Sequence, residues 1–287
     1  MKIRKLKLRD YFTNLYLKYR YQFIRHFRPK RLINKSPIHK ENHKLIFCDN
    51  FDKENWDYNG YDKWRIGETW GLYHPDKPNV YYGPPTVKKD DGVTAFTVKY
   101  KPKKFLSLRN DDKINIPFEV SLLSSEKMFR SKYGRFECRM TLPKEPGTWP
   151  AFWLYGNPWP PEVDIIETYG GGSGQRNRIQ EINIHYGANP KIKNIGAWKI
   201  KIDKAKNLGK NFYEFAFDWT PQRMDFYTNG IRVFQFTDDE ILNEWFNTDM
   251  FIIINNSLQS NYIPEYNFYS EFLVDYIRVY KQNNNEI

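Results

Sequence analysis

From Leu45 onward, apolar and polar residues alternate in short runs separated by Gly, Pro, Asn and Asp clusters, the period-two pattern of half-buried strands. Phe136, Cys138, Met140 and Leu142 alternate with Glu137, Arg139 and Thr141. Tyr213, Phe215, Phe217 and Trp219 alternate with Glu214, Ala216 and Asp218. Asn229-Gly230, between Met224–Thr228 and Ile231–Phe234, has the chemistry of a two-residue hairpin, because both turn positions need positive φ. Ile252–Ile254 reads as a strand covered on both faces and Leu273–Tyr280 as a further strand, whereas only Asp238–Phe246 reads as a short helix. With no repeat and no linker between Leu45 and Tyr280, the pattern predicts one antiparallel β-sandwich. It also predicts three regions: a basic extension over 1–44, the sandwich over 45–281 and a tail over 282–287.

The extension has a different period. Phe12, Leu15, Tyr16, Tyr19, Phe23 and Phe27 fall near helical spacing, with Asn14, Lys18, Gln22 and Arg25 on another face and Pro29 as a stop. Charge sets this segment apart. The chain of 287 residues carries 45 Lys+Arg and 34 Asp+Glu, a net +11. Residues 1–40 hold 13 of the basic residues and a single acid, Asp10, a net +12, which leaves 32 basic against 33 acidic residues elsewhere, a net −1. A basic amphipathic helix of this kind lies on an anionic membrane or polymer, binds an acidic partner, or packs as a domain extension. No nucleic-acid module accompanies it, and none is expected to be bound. Its apolar residues are too interrupted for a signal peptide, and no run approaches a transmembrane segment.

Composition excludes other classes. Aromatics at 18% and hydrophobics at 40% are too apolar for a disordered chain. Cys48 and Cys138 are too few for a disulfide scaffold and read as two buried thiols, and the five histidines have no metal-ligand spacing. Tyr169-Gly170-Gly171-Gly172-Ser173-Gly174 lacks a following Lys-Ser/Thr and reads as a surface loop.

The informative stretch is Glu162-Val163-Asp164-Ile165-Ile166-Glu167. Three acids in an apolar strand need a use or a counter-charge. Glu162 and Asp164 share a face, while Val163 and Ile165 point to the core. Glu167 is out of phase, and a β-bulge around Ile165-Ile166 would return it to the acid face. Glu162 and Glu167 would then be roughly 13 Å apart at Cα, a gap their side chains can close toward the ~5–5.5 Å of a retaining glycosidase pair. An acid ladder paired with Lys or Arg is the structural alternative. Around this stretch, Trp149 and Trp153 share a strand face suited to stacking on sugar rings, with core packing as the alternative role. Glu181, Asn183 and His185 form a polar row opposite Ile182 and Ile184. The stretch 64–92, with Trp70, Tyr73, His74, Tyr81 and Tyr82, reads as cleft loops.

Together with Asp49-Asn50-Phe51-Asp52, Tyr133–Met140, Trp149–Trp153, Asp218-Trp219-Thr220-Pro221, Tyr227–Gly230 and Val274–Tyr280, the acid stretch resembles glycoside hydrolase family 16 from about Phe47 to Tyr280. The resemblance implies a concanavalin-like β-jelly-roll of two antiparallel sheets with a concave cleft. It implies a retaining endo-β-glycanase in which Glu162 is the nucleophile, Glu167 the acid/base and Asp164 the assisting carboxylate, with Trp149, Trp153, Trp159, Asn183 and His185 binding a polysaccharide substrate. β-1,3-Glucan comes first; galactan hydrolysis (agar, porphyran, carrageenan), transglycosylation and a non-catalytic glycan-binding jelly roll are the alternatives. Ile166 stands where many β-1,3-glucanases of the family carry Met. No cofactor is implied beyond a structural calcium, for which Asp275 is the side-chain candidate.

Overall fold

In the computed structural model, the residues described are 2–3, 6–27, 42–51, 62–69, 71–77, 79–88, 92–110, 112–170, 178–188, 193–202 and 209–283. Asp52, Trp70, the glycines of 171–174, residues 28–41 of the basic extension and most of the tail therefore lie outside the described residues. The N-terminal elements are β1 (Lys2–Ile3), α1 (Leu8–Phe27), β2 (His43–Asp49), β3 (Arg65–Ile66), β4 (Val80–Gly83), β5 (Thr86–Lys88), β6 (Val93–Leu106) and β7 (Lys113–Ser124). The central ones are β8 (Gly134–Met140), β9 (Ala151–Gly156), β10 (Glu162–Glu167), β11 (Ile179–Tyr186) and β12 (Lys193–Lys201). The chain continues through β13 (Tyr213–Trp219), β14 (Met224–Thr228), β15 (Ile231–Phe236), α2 (Asp239–Trp245), β16 (Met250–Asn255) and β17 (Tyr269–Gln282).

The strands form two sheets. One runs β1-β12-β11-β10-β9-β16-β7-β3, and the other runs β15-β14-β13-β8-β17, with β6 and β2 end to end along the far edge of β17. β7 belongs to both: its first part pairs with β6 and β4, and its last residues pair with β16 and β3. All pairings are antiparallel except β1–β12 and β4–β7. Inward residues of the two sheets, among them Phe136, Phe152, Leu154, Ile184, Phe215, Phe217, Phe226 and Val279, make one continuous core.

The predicted strands occupy their predicted places. Asn229 and Gly230 turn between β14 and β15 with φ of 50° and 74°. β16 is buried along its whole length, and α2 is capped by the Asp238 carboxylate accepting from the Ile241 N–H. The polar face of β8 is buried too. Arg135 lies 2.6 Å from Glu137 and 2.8 Å from Asp218, which gives that face its counter-charges. Cys48 and Cys138 are free thiols, but only Cys138 is buried as expected; Cys48, near the end of β2, is half-buried with its Sγ turned to the Asn50 side chain. Tyr73 and Tyr81 do not reach the cleft; they pack with Ile116 in a separate small cluster, because their hydroxyls reach inward to the Leu106 and Lys101 carbonyls.

α1 packs on the sandwich through a largely polar face. Asp10, Asn14, Leu17 and Tyr21 are buried, whereas Phe12, Tyr16, Tyr19 and Phe23 are exposed. The reason lies at β15, an edge strand with unpaired backbone groups. The Asn14 side chain donates to the Gln235 carbonyl at 2.8 Å and accepts from the Gln235 N–H at 2.7 Å, in place of a neighbouring strand. Gln22 donates to the Lys201 carbonyl of β12, and the Lys18 ammonium lies over the Trp198 ring. No helix among the described residues is long and apolar enough to cross a membrane.

Candidate active site

The three acids lie on β10 between β9 and β11. Against β9, Asp164 pairs with Trp153 and Ile166 with Phe152, so Ile165 is an extra residue; against β11, Asp164 pairs with Asn183 and Glu167 with Glu181. This is the expected bulge, and it leaves Val163, Ile165 and Ile166 all in the core. The Ile165 carbonyl accepts the Gln180 amide at 2.8 Å, and the Gln180 oxygen accepts the Thr228 hydroxyl at 2.6 Å from the opposite sheet.

Glu162, Asp164 and Glu167 line a cleft of about 390 Å³ together with Glu68, His74, Lys77, Tyr82, Trp149, Trp153, Tyr155, Trp159 and Asn255. The cleft has both indole faces and hydrogen-bonding groups. Trp149 is held where the chain turns tightly at Gly147, whose φ is 77° and whose missing Cβ would fall 1.9 Å from the Tyr262 ring. Its indole N–H donates to Glu167 at 2.5 Å. The Trp153 indole donates to Asn255 at 2.8 Å, and Asn255 donates back to the Trp149 carbonyl. Trp159, exposed at the rim, donates to Glu162 at 2.6 Å.

β11 supplies the facing row. Asn183 donates to Glu167 at 2.8 Å, while His185 Nε2 lies 3.5 Å from Glu162 and 3.3 Å from Asp164. Burial, followed by the Asp164 charge, pushes the Glu167 carboxyl up to about 8 against the donors Trp149 and Tyr169. Burial and Asp164 likewise push Glu162 up to about 8, with His185 and Trp159 acting in the opposite direction. For His185, burial lowers the pKa, but the hydrogen bond to Asp164 and the charges of Glu162, Asp164 and Glu167 outweigh it and raise the imidazole to about 9. Glu162 and Glu167 are thus raised alike, and the imidazolium pairs with Glu162 and Asp164.

Glu162, Asp164 and His185 offer three ligand atoms within 4.8 Å of one another, a spacing that the imidazolium–carboxylate pairing itself produces. Asp275 lies at a register shift of β17 and is ion-paired with Arg139.

Of the eight residues predicted around the acid stretch, Glu162, Asp164, Glu167, Trp149, Trp153 and Trp159 line the cleft, whereas Asn183 and His185 do not line it and instead hold its carboxylates from β11. His74 and Tyr82 join the cleft from 64–92 as expected. Sequence reasoning did not find Glu68, Lys77 and Asn255. Glu68 is buried, with burial pushing its pKa up to about 7 against Tyr82, Lys77 and Arg65. Lys77 lies 4.2 Å over the Trp149 ring. Asn255 could have been read from the Asn255-Asn256-Ser257 break that ends the apolar run of β16.

Comparison with known proteins follows the same lines. The chain is 25% identical over 173 residues to the "Beta-glucanase" of Rhodothermus marinus, covering 52% of this chain and 57% of the relative. It is 22% identical over 270 residues to "Glucan endo-1,3-beta-glucosidase A1" of Niallia circulans, covering 83% of this chain and 38% of that protein. It therefore spans little more than half of the one relative and less than half of the other. The laminarinase catalytic domain of Thermotoga maritima has the same fold, with a TM-score of 0.66 at 23% identity over 85% of this chain and all of that one. Residues 77–261 match the family described as "Glycosyl hydrolases family 16", which contains the cleft-forming strands from β9 to β11 as well as β16. The chain belongs to glycosyl hydrolases family 16, a β-jelly-roll family.

Proposed function

We propose that the protein is a retaining endo-β-glycanase that cleaves a polysaccharide by double displacement, with β-1,3-glucan as its first substrate. The carrying observation is the bulged β10, which presents Glu162 and Glu167 on one cleft face with Asp164 between them and the His185 imidazole against Glu162 and Asp164.

Glu162, ionised next to the His185 imidazolium, attacks the anomeric carbon of the bound sugar. Glu167, protonated at the start, delivers its proton to the glycosidic oxygen as that bond breaks, so the leaving chain departs as an alcohol and a glycosyl–Glu162 ester remains. Glu167, now a carboxylate, takes a proton from an entering water, whose oxygen displaces Glu162 at the same carbon. Product leaves with retained configuration and both glutamates return to their first state. Asp164 keeps the Glu167 proton on by its charge and accepts from His185, which fixes the ring that faces Glu162. The indoles of Trp149 and Trp153 provide apolar planes for sugar faces, and Asn183 orients the acid.

The test is Glu162→Gln assayed on a panel of β-1,3-glucan, mixed-linkage glucan, agar, porphyran and carrageenan with product sizing. Expected are oligosaccharides of intermediate size from β-1,3-glucan with wild type, and loss of turnover with retained oligosaccharide binding in the variant. Undiminished turnover by Glu162→Gln refutes the catalytic assignment; cleavage of a galactan in preference to glucans refutes the substrate.

A further inference from the structure

The surface of α1 is inverted relative to an ordinary packed helix. At 100° per residue, the buried Asp10, Asn14, Leu17 and Tyr21 occupy an arc of about 60°, and Leu8, Phe12, Tyr16 and Tyr19 occupy one of about 80° on the opposite side. These four are between 59% and 73% exposed. They form an apolar stripe about 16 Å long at 1.5 Å per residue. Arg9 and Arg20, both exposed, run along one border of it.

None of these four side chains makes the contacts that hold α1 on the domain. The contacts that hold the helix come from Asn14, Gln22 and Lys18, on the other faces. Chain-wide charge identifies the occupant. The first 40 residues carry net +12 while the rest of the molecule carries −1. An anionic polymer in solution would meet the charges but leave the rings in water. A bilayer containing anionic lipid meets both, because Arg9 and Arg20 border the stripe on the headgroup side and the rings enter the acyl boundary with the Tyr16 and Tyr19 hydroxyls at headgroup level.

We infer that α1 docks the protein on an anionic bilayer surface, lying in the interface plane with Leu8, Phe12, Tyr16 and Tyr19 toward the lipid. This assignment is independent of the catalytic one, since none of these residues lines the cleft.

The test is co-sedimentation of the full chain with vesicles of pure phosphatidylcholine and of equal parts phosphatidylcholine and phosphatidylglycerol. The variants are the triple substitution Phe12→Ser, Tyr16→Ser, Tyr19→Ser and the double substitution Arg9→Gln, Arg20→Gln. Wild type should bind the mixed vesicles and bind pure phosphatidylcholine much more weakly. The triple variant should lose at least about tenfold in affinity through lost apolar burial. The double variant should lose about fivefold for each charge removed. Unchanged Tm in both variants shows that binding, not folding, has been altered; if the triple variant melts early, the single substitution Tyr16→Ser and the double variant carry the same comparison. Binding of the triple variant equal to wild type overturns the inference. So does capture of wild type by polyphosphate but not by vesicles, and so does a concentration-dependent dimer that the triple substitution abolishes while wild type ignores both vesicle types.

Discussion

The sharpest consequence of the site geometry concerns His185. Among the described residues it is the one cation paired with Glu162 and Asp164, at 3.5 and 3.3 Å, and its raised pKa of about 9 keeps it charged through neutral pH. Replacing it by Gln removes the charge while leaving an amide able to donate to Asp164. At an effective dielectric of 20, a unit charge 3.5 Å away is worth about 5 kcal/mol. That sets a ceiling of about three pK units on what the ring does for Glu162, and screening in an open cleft brings the expected shift to about one or two. The sign is fixed: loss of a cation raises a carboxyl pKa, so Glu162 ionises at higher pH. Of the three carboxylates, Glu167 is the one coupled least to His185, and its proton is held first by burial and Asp164. The acid limb of the kcat/KM profile should therefore move up by about one to two pH units in His185→Gln while the basic limb stays in place. On the acid side, the variant should be slower by about ten- to hundredfold. The assay is kcat/KM against pH on a soluble β-1,3-glucan for both proteins. An acid limb that does not move, or two limbs that move together, would refute the argument that the imidazolium partitions the proton between the two glutamates.

Two further substitutions probe the scaffold. Gln180→Leu leaves the Ile165 carbonyl and the Thr228 hydroxyl without their buried partner, and should destabilise the protein by about 2–4 kcal/mol in urea unfolding. It should also lower kcat more than it changes KM, because Glu167 follows the bulge; unaltered kcat would mean the bulge is held by other contacts. Asn14→Ala exposes both backbone groups of Gln235 on the edge of β15 and should cost about 2 kcal/mol by the same assay, against less than about 0.5 if α1 adds nothing to the domain.

The bulge was legible because a strand has a fixed period. Glu167 sat in a core phase where a carboxylate is costly, and one inserted residue was the smallest correction. The polar row of β11 and the hairpin at Asn229-Gly230 were legible for the same reason: alternation or turn chemistry leaves few choices. Glu68 and Lys77 were not, because they come from 62–77, where irregular chain gives no phase to read. α1 showed the other limit. Its helical period was plain, but amphipathicity does not say which face docks. That was decided by β15, whose edge needs an amide more than it needs a ring, so that Asn14 went in and Phe12 stayed out.

Gln180 connects these observations. In β11 the core phase reads Gln180, Ile182, Ile184, an amide where an aliphatic side chain is expected. A bulge presents one residue's backbone out of register with its neighbours, and a buried carbonyl left that way is unfavourable by an amount comparable to a lost hydrogen bond. The amide that satisfies it is itself fixed by Thr228 on β14, in the opposite sheet. The separation of Glu162 and Glu167 is therefore not set by β10 alone: it is referenced, through Ile165, Gln180 and Thr228, to the packing of the two sheets against each other. A polar residue in the core phase of a strand beside an acid triad is thus the sequence signal for the bulge, independent of the phase of the acids themselves.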